Sequence, residues 1–274
     1  MRRKLEVSFV AAVILAAMGA GAGCNKLRAR DDLNKGVDAY KNGQFDVAVE
    51  DFKNAQKLDP TLTSAKLYLA AAYQNQYVPG APSEANLRNA QSAMQVYKEI
   101  LQKDPKNLSA IDSMGSLLYN MGSNPYDQAK LEQSKAYNQE HIQISPNDPK
   151  PYYWIGVIDW SLCYRANLEM RQDYNRTASA KRQIKQNDPL PEKLRTEFTD
   201  KYGSTIDEAI TNLQKAISLK PDYDDAMAYL NLMYRQKADT ESTKEAREDD
   251  LKKADQLVEQ VKAIKQKKAG MQPS

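Results

Sequence analysis

The apolar and polar positions in the stretch that ends at Pro60 predict two short helices joined by a tight turn at Gly43. In the second helix, Ala48, Phe52 and Ala55 follow one another at spacings of four and three residues, which places them on one helix face. The two alanines allow a neighbouring helix to approach closely, and the ring between them fills the groove. This stretch therefore predicts one antiparallel helical hairpin.

The same spacing of small and bulky residues recurs along the chain. Later copies contain it at Leu69, Ala70, Tyr73, Ala93 and Tyr97, and again at Gly156, Ala209, Leu213 and Ala216. The pattern resembles the tetratricopeptide repeat, a helical hairpin of roughly 34 residues. In the first copy, the signature positions of that repeat are occupied by Gly36, Ala48, Phe52, Ala55 and Pro60.

The resemblance implies an all-α fold, a right-handed α-solenoid of about five helical hairpins. It divides the chain into repeats at 29–62, 63–107, 108–148, 149–223 and 224–266. The second repeat contains a loop that begins at Tyr77, the third matches the pattern least well, and the fifth caps the array. We expect residues 267–274 to form a flexible tail.

The fourth repeat contains an insertion at 165–203 that is polar and mixed in charge. We expect the first helix of this repeat to continue past Cys163, and a separate short helix to begin at Pro191 and end at Gly203. Thr205 and Glu208 are spaced as a capping box, which predicts the start of the repeat's second helix. The insertion either carries specificity or is a solvated extension without a function of its own.

In tetratricopeptide repeats the first helix of each pair lines a concave face, and the resemblance implies which positions point into it. In this chain they include Tyr40, Lys41, Gln74, Asn75, Tyr119, Asn120, Tyr153, Trp160, Leu232, Arg235 and Gln236. Aromatic and amide side chains of this kind favour binding of an extended peptide or a helix. The alternative is that Tyr153 and Trp160 only pack against the insertion. The basic and amide residues with which some members clamp a terminal carboxylate are replaced here by Leu33, Val37, Tyr68, Ser109 and Ser113.

The first 23 residues have the pattern of a signal peptide. A basic start at residues 1–4 precedes an apolar run at 7–22 that is shorter than a membrane-spanning helix. The run ends in a sequence that resembles the lipobox of bacterial lipoproteins, in which small residues precede an acylated cysteine, here Cys24. Gly21 departs from that pattern, because a larger apolar residue is usual there.

The resemblance implies an exported protein that acyl chains on Cys24 anchor to a membrane, facing the periplasm or the outside. The alternative is ordinary cleavage after Ala22, which would give a soluble secreted protein with a free thiol at Cys24.

The sequence contains no motif of a nucleophilic, metal-dependent or phosphate-binding enzyme. Its single histidine, His141, has no neighbouring cysteine or serine motif, and Cys163 lies in an apolar helix that predicts a buried thiol. The net charge of +3 falls almost to zero without the leader, which does not favour nucleic acid as a partner. We therefore expect no enzymatic activity, no cofactor and no metal.

Together these features predict a non-enzymatic scaffold or adaptor of the bacterial cell envelope that binds another protein. The alternative is a subunit of an envelope assembly machine, which inserts outer-membrane proteins or acts as a pilus pilotin. The helices of this chain end in Asp-Pro or Lys-Pro, whereas we expect Tyr-Pro endings in the family of the outer-membrane insertion complex. This difference argues against that alternative.

Overall fold

The structure, a computed structural model, describes residues 23–270, and this part of the chain is built from α-helices. The first helix, α1, covers 23–41 in the described part. The others are α2 Phe45–Leu58, α3 Thr63–Gln76, α4 Glu84–Lys103, α5 Leu108–Ser123, α6 Gln128–Ile144, α7 Pro149–Thr177, α8 Glu192–Leu219, α9 Asp224–Ala238 and α10 Lys244–Gly270, with a 3₁₀ turn at Ala180–Arg182. The leader predicted at 1–23 lies outside the described residues except for Gly23.

The chain divides into two compact units, Met1–Leu117 and Leu118–Ser274, and the boundary falls within α5. In the first unit, α1 and α2 form the predicted hairpin around Ala39, Ala48 and Phe52. A Cβ on Gly36 would lie 2.5 Å from a ring carbon of Phe52, so only glycine lets α1 approach α2 this closely. Gly43 makes the turn between them with a φ of +72°, a conformation that glycine adopts at little cost.

The loop after α3 is closed by the side chain of Asn86 on α4. Its amide nitrogen donates to the carbonyl oxygens of Val78 and Ala81, at 2.9 and 2.8 Å, and its oxygen accepts from the Val78 nitrogen at 2.7 Å. The loop is therefore held by an internal hydrogen-bond network.

In the second unit, α7 and α8 form a hairpin with the same close contact. A Cβ on Gly156 would lie 2.4 Å from Cγ of Leu213, which occupies the position that Phe52 has in the first hairpin. The core between α7, α8 and α9 contains apolar side chains that are buried, among them Cys163, Phe198, Ile206, Leu213, Leu230 and Met233. Cys163 is fully buried, as the sequence predicts, and burial raises the pKa of its thiol to about 12.

The structure corrects the prediction for the second half of the insertion. No separate helix ends at Gly203 and no capping box starts a new one at Thr205, because α8 runs without a break from Glu192 to Leu219. Phe198 and Ile206 are both buried and lie two turns apart on one face, with Tyr202 packed between them. Burial of this stripe outweighs the cost of about 1 kcal/mol for a glycine within a helix.

The end of the chain also differs from the prediction. Residues 267–270, which the sequence assigns to a flexible tail, continue α10. Nζ of Lys268 lies 2.6 Å from Oδ1 of Asp224 and 3.1 Å from the carbonyl oxygen of Asp222, so the last turns of α10 are tied to the start of α9. Over residues 23–270, none of the helices combines the length and the apolar character that crossing a bilayer requires.

Candidate functional site

Seven half-buried aromatic rings form a continuous run in the second unit. Successive ring centroids lie between 5.0 and 5.8 Å apart, within the range of attractive aromatic contacts. The run consists of Tyr119 on α5, Tyr153, Trp154, Trp160 and Tyr164 on α7, Tyr229 on α9, and Tyr223 directly before α9. Three of the predicted groove residues, Tyr119, Tyr153 and Trp160, therefore belong to one aromatic surface.

The length of α7 extends this surface beyond the ordinary repeat. Tyr153, Trp160, Tyr164, Asn167 and Arg171 follow one another at spacings of seven, four, three and four residues, which places them along one face of the helix. The face begins with aromatic rings and ends with polar groups inside the insertion. The sequence prediction of the groove stops at Trp160. The same helical spacing continues beyond it and could have identified Tyr164, Asn167 and Arg171 as further residues of this face.

A cavity of about 280 Å³ lies where the aromatic run meets the insertion, α9 and α10. Four predicted groove residues lie in its wall, namely Trp160, Leu232, Arg235 and Gln236. Residues that the sequence prediction of the site did not include complete the wall, among them Tyr164, Asn187 and Arg247. The centroids of Trp160 and Tyr164 are 5.1 Å apart with an interplanar angle of 17°, so the two rings present a stacked pair.

A buried polar network centred on Arg171 fixes the insertion at this site. The guanidinium donates to Oδ2 of Asp239 at 2.7 Å, to Oδ1 of Asn167 at 2.6 Å, and to the carbonyl oxygens of Lys185 and Asp188 at 2.8 and 2.9 Å. Nδ2 of Asn167 also donates to Asp239, at 3.0 Å. Since all these groups are paired, the loop of the insertion is held against α7 and α9 rather than projecting freely.

Three tyrosines of the run, Tyr153, Tyr223 and Tyr229, remain neutral at physiological pH. Burial, reinforced by neighbouring groups that include Asp225, raises the pKa of Tyr153 and Tyr229, and it raises the pKa of Tyr223 to about 12. Neutral phenol groups keep their hydrogen-bond donors, so the surface combines apolar rings with polar hydroxyl groups.

Three predicted groove residues of the first unit form side-chain hydrogen bonds within that unit. Nδ2 of Asn75 donates to the hydroxyl of Tyr40 at 2.7 Å, and the hydroxyl of Tyr97 donates to Oε1 of Gln74 at 2.9 Å. Lys41 is exposed on α1. These hydrogen bonds order the side chains of Tyr40, Gln74 and Asn75. That these residues bind a partner stays a prediction.

Asn120, Cys24 and His141 do not belong to the cavity wall. Asn120 is half-buried on α5, and Cys24 is exposed at the beginning of the described chain. His141 is buried on α6. Within residues 23–270, histidine, cysteine and carboxylate side chains form no group of three that could hold a metal ion.

The comparisons with known proteins bear on the fold. No protein-family model and no curated protein matches the chain. Among solved structures, one of MamA from Desulfovibrio magneticus RS-1, which runs from residue 41 to the end, superposes with a TM-score of 0.55 at 15% identity. The match covers 88% of this chain and 96% of the chain in that structure. Another MamA crystal structure gives 0.55 at 16% identity, with 90% and 97% covered. MamA is a tetratricopeptide-repeat protein, so the similarity confirms the predicted all-α repeat fold. At this level of identity, the similarity concerns the fold and not the function.

Proposed function

We propose that this chain is a non-enzymatic scaffold of the bacterial cell envelope, which binds a peptide or helix of another protein and is anchored to a membrane by acyl chains on Cys24. The observation that carries the binding role is the aromatic run from Tyr119 to Tyr164. Half-buried tyrosine and tryptophan side chains offer a large contact area at a small entropic cost, and they are enriched where proteins bind one another.

The composition of the surface favours a polypeptide over other partners. Rings provide contacts for apolar side chains, whereas the phenol hydroxyls and the amides near the cavity suit the N–H and C=O groups of a peptide main chain. The repeat fold supports this role, because stacked helical hairpins provide extended binding surfaces.

Site-specific crosslinking in intact cells tests the binding role. A photoreactive phenylalanine analogue at position 119 or 160 is expected to give a defined adduct, which mass spectrometry then identifies. The matched control carries the same probe at Glu197, an exposed position on α8 outside the run. Failure to obtain adducts at 119 and 160, or the same adducts from 197, would contradict the proposed binding surface.

Fractionation tests the anchor separately. Two or three acyl chains hold a protein on a bilayer almost permanently, because each buried methylene contributes about 0.8 kcal/mol. The Cys24→Ala variant is therefore expected to move from the membrane fraction to the soluble fraction. Unchanged fractionation would remove the anchor from the proposal and leave the binding role in place.

A further inference from the structure

The cavity beside Trp160 carries more positive than negative charge. Its wall contains three guanidinium groups, those of Arg171, Arg235 and Arg247, and one carboxylate, that of Asp239. Arg171 and Asp239 lie 2.7 Å apart and neutralise each other inside the buried network. Arg235 and Arg247 are left to determine the charge that a ligand meets.

Neither of these two arginines has a strong counter-charge. Nη2 of Arg235 lies 2.7 Å from Asp255, but the side chains are 43% and 72% exposed, so the pair contributes little. Nη2 of Arg247 donates to the carbonyl oxygen of Asn187 at 2.9 Å, while its Nε is buried without a hydrogen-bond partner. In the described part of the chain, no carboxylate forms an ion pair with Arg247. A carboxylate from outside would supply the missing counter-charge and hydrogen bonds.

The other residues of the cavity wall favour a ligand that also has a hydrogen-bond donor and an apolar group. Oε1 of Gln236 is buried and accepts no hydrogen bond. The stacked rings of Trp160 and Tyr164 line the same cavity, with Leu232 and Leu251. A peptide N–H would satisfy the amide oxygen, and an apolar or aromatic side chain would cover the rings.

The cavity also has continuations on two sides. Trp160 belongs both to its wall and to the aromatic run, and Arg235 and Leu251 belong both to its wall and to an open depression of about 680 Å³ along α10. An extended chain can therefore enter along the rings and leave along α10. This favours a residue within a peptide over the end of a chain as the occupant.

We infer that this cavity binds an internal aspartate or glutamate side chain of the partner peptide, next to an apolar or aromatic residue. The carboxylate pairs with Arg247 and Arg235, the neighbouring main-chain N–H donates to Gln236, and the adjacent side chain covers Trp160 and Tyr164. The inference rests on the proposed function, which it extends by specifying the chemistry of the partner.

Fluorescence anisotropy with short labelled peptides tests this inference on the purified protein. One probe, blocked at both ends, contains a central Phe-Glu-Phe segment; a second has glutamine in place of glutamate; a third has the glutamine sequence with a free terminal carboxylate. We expect the glutamate peptide to bind at least about 10-fold more tightly than the blocked glutamine peptide, the size of effect that one charge-assisted hydrogen-bond pair gives.

Substitutions in the cavity wall test whether the preference for the glutamate peptide arises there. Arg247→Gln is expected to reduce the 10-fold preference to within about twofold, and Arg235→Gln, which leaves the contact with Asn187 intact, is expected to reduce it in part. The control Lys193→Gln removes an exposed positive charge from α8, outside the cavity, and should keep the full preference.

The alternative outcomes separate the inference from the proposed function. Equal binding of the glutamate and blocked glutamine peptides would overturn the acidic site and leave a peptide-binding scaffold. Tighter binding of the peptide with the free carboxylate would assign the cavity to chain ends and overturn the inference of an internal residue. Binding of none of the three peptides would also overturn it, while crosslinking from positions 119 and 160 decides the scaffold role independently.

Discussion

Gly156 shows how one residue sets the distance between two helices. The nearest atom to an added Cβ would be Cγ of Leu213, a branch point in a fully buried side chain that cannot move aside easily. Gly36 and Phe52 show the same relation in the other unit. Small residues at this position therefore belong to the packing of each hairpin, and glycine's low helix propensity is tolerated for that reason.

Substitution of Gly156 by alanine is expected to destabilise the protein, although alanine is the better helix former. Overpacking of a filled core costs about 1–3 kcal/mol, which exceeds the gain of about 1 kcal/mol in helix propensity. The matched control is Gly203→Ala on α8, where a Cβ would meet only Thr199 at 3.6 Å. That variant should gain up to about 1 kcal/mol. Urea unfolding of both variants measures the difference, and a stabilised Gly156→Ala protein would contradict the close contact.

Asp159 is a buried acidic residue whose surroundings predict that the stability of the protein depends on pH. Nζ of Lys135 lies 2.8 Å from Oδ1 of Asp159 and 2.8 Å from Oε2 of Glu208, and the second oxygen of Asp159 is buried without a partner. Burial raises the pKa of Asp159 to about 7, although Lys135 opposes the shift. Burial acts to lower the pKa of Lys135, but the two carboxylates outweigh it and raise that pKa.

The sign of the effect on stability follows from the raised pKa. The folded protein holds the Asp159 proton more tightly than the unfolded chain, so this group's contribution is complete at low pH and is lost as the pH rises towards about 7. The free energy of unfolding, measured relative to Asp159→Asn, is expected to fall from about pH 4, near the ordinary pKa of 3.8, to about pH 7 and to stay level above that. A difference that stays constant or rises with pH would show that Asp159 is charged throughout.

At the scale of the element, the insertion is an extension of two core helices joined by a fixed loop. α7 is 29 residues long and α8 is 28, about twice the length of α2 or α3, which have 14 each. Their extra turns bury Phe198 and place Asn167 and Arg171 beside the cavity. The insertion is therefore part of the core of the second unit as well as of the candidate site.

The buried network around Arg171 predicts a large local effect of one substitution. Arg171→Met would leave Asp239 as a buried carboxylate without its partner, a change that costs about 3–5 kcal/mol in comparable sites. We expect faster hydrogen exchange and faster trypsin cleavage in the loop at 178–191. Arg176→Met is the control, because its ion pair with Asp173 is 75% and 69% exposed and contributes at most about 1 kcal/mol. Equal cleavage of the two variants would contradict the role given to Arg171.

At the scale of the whole molecule, the repeat spacing was sufficient to predict the all-α fold, because each hairpin depends on local small and bulky positions such as Gly36 and Phe52. The continuity of α8 was missed because Gly203 was interpreted as a helix end, whereas burial of Phe198 and Ile206 on one face overrides it. The cavity was missed because contacts between residues far apart in sequence build it. Arg171 and Asp239 are 68 residues apart, and no local pattern links them.

The proposed role of the whole molecule depends on the aromatic run being the surface that a partner contacts. Once crosslinking has identified the partner, calorimetry on the purified pair measures its affinity for the wild type, for Trp160→Ala, and for Tyr126→Ala, a tyrosine of the same unit that lies outside the run and is 38% exposed. We expect at least about 10-fold weaker binding, or about 1.4 kcal/mol, for Trp160→Ala and no change for Tyr126→Ala. Unchanged affinity of a folded Trp160→Ala protein would contradict this role.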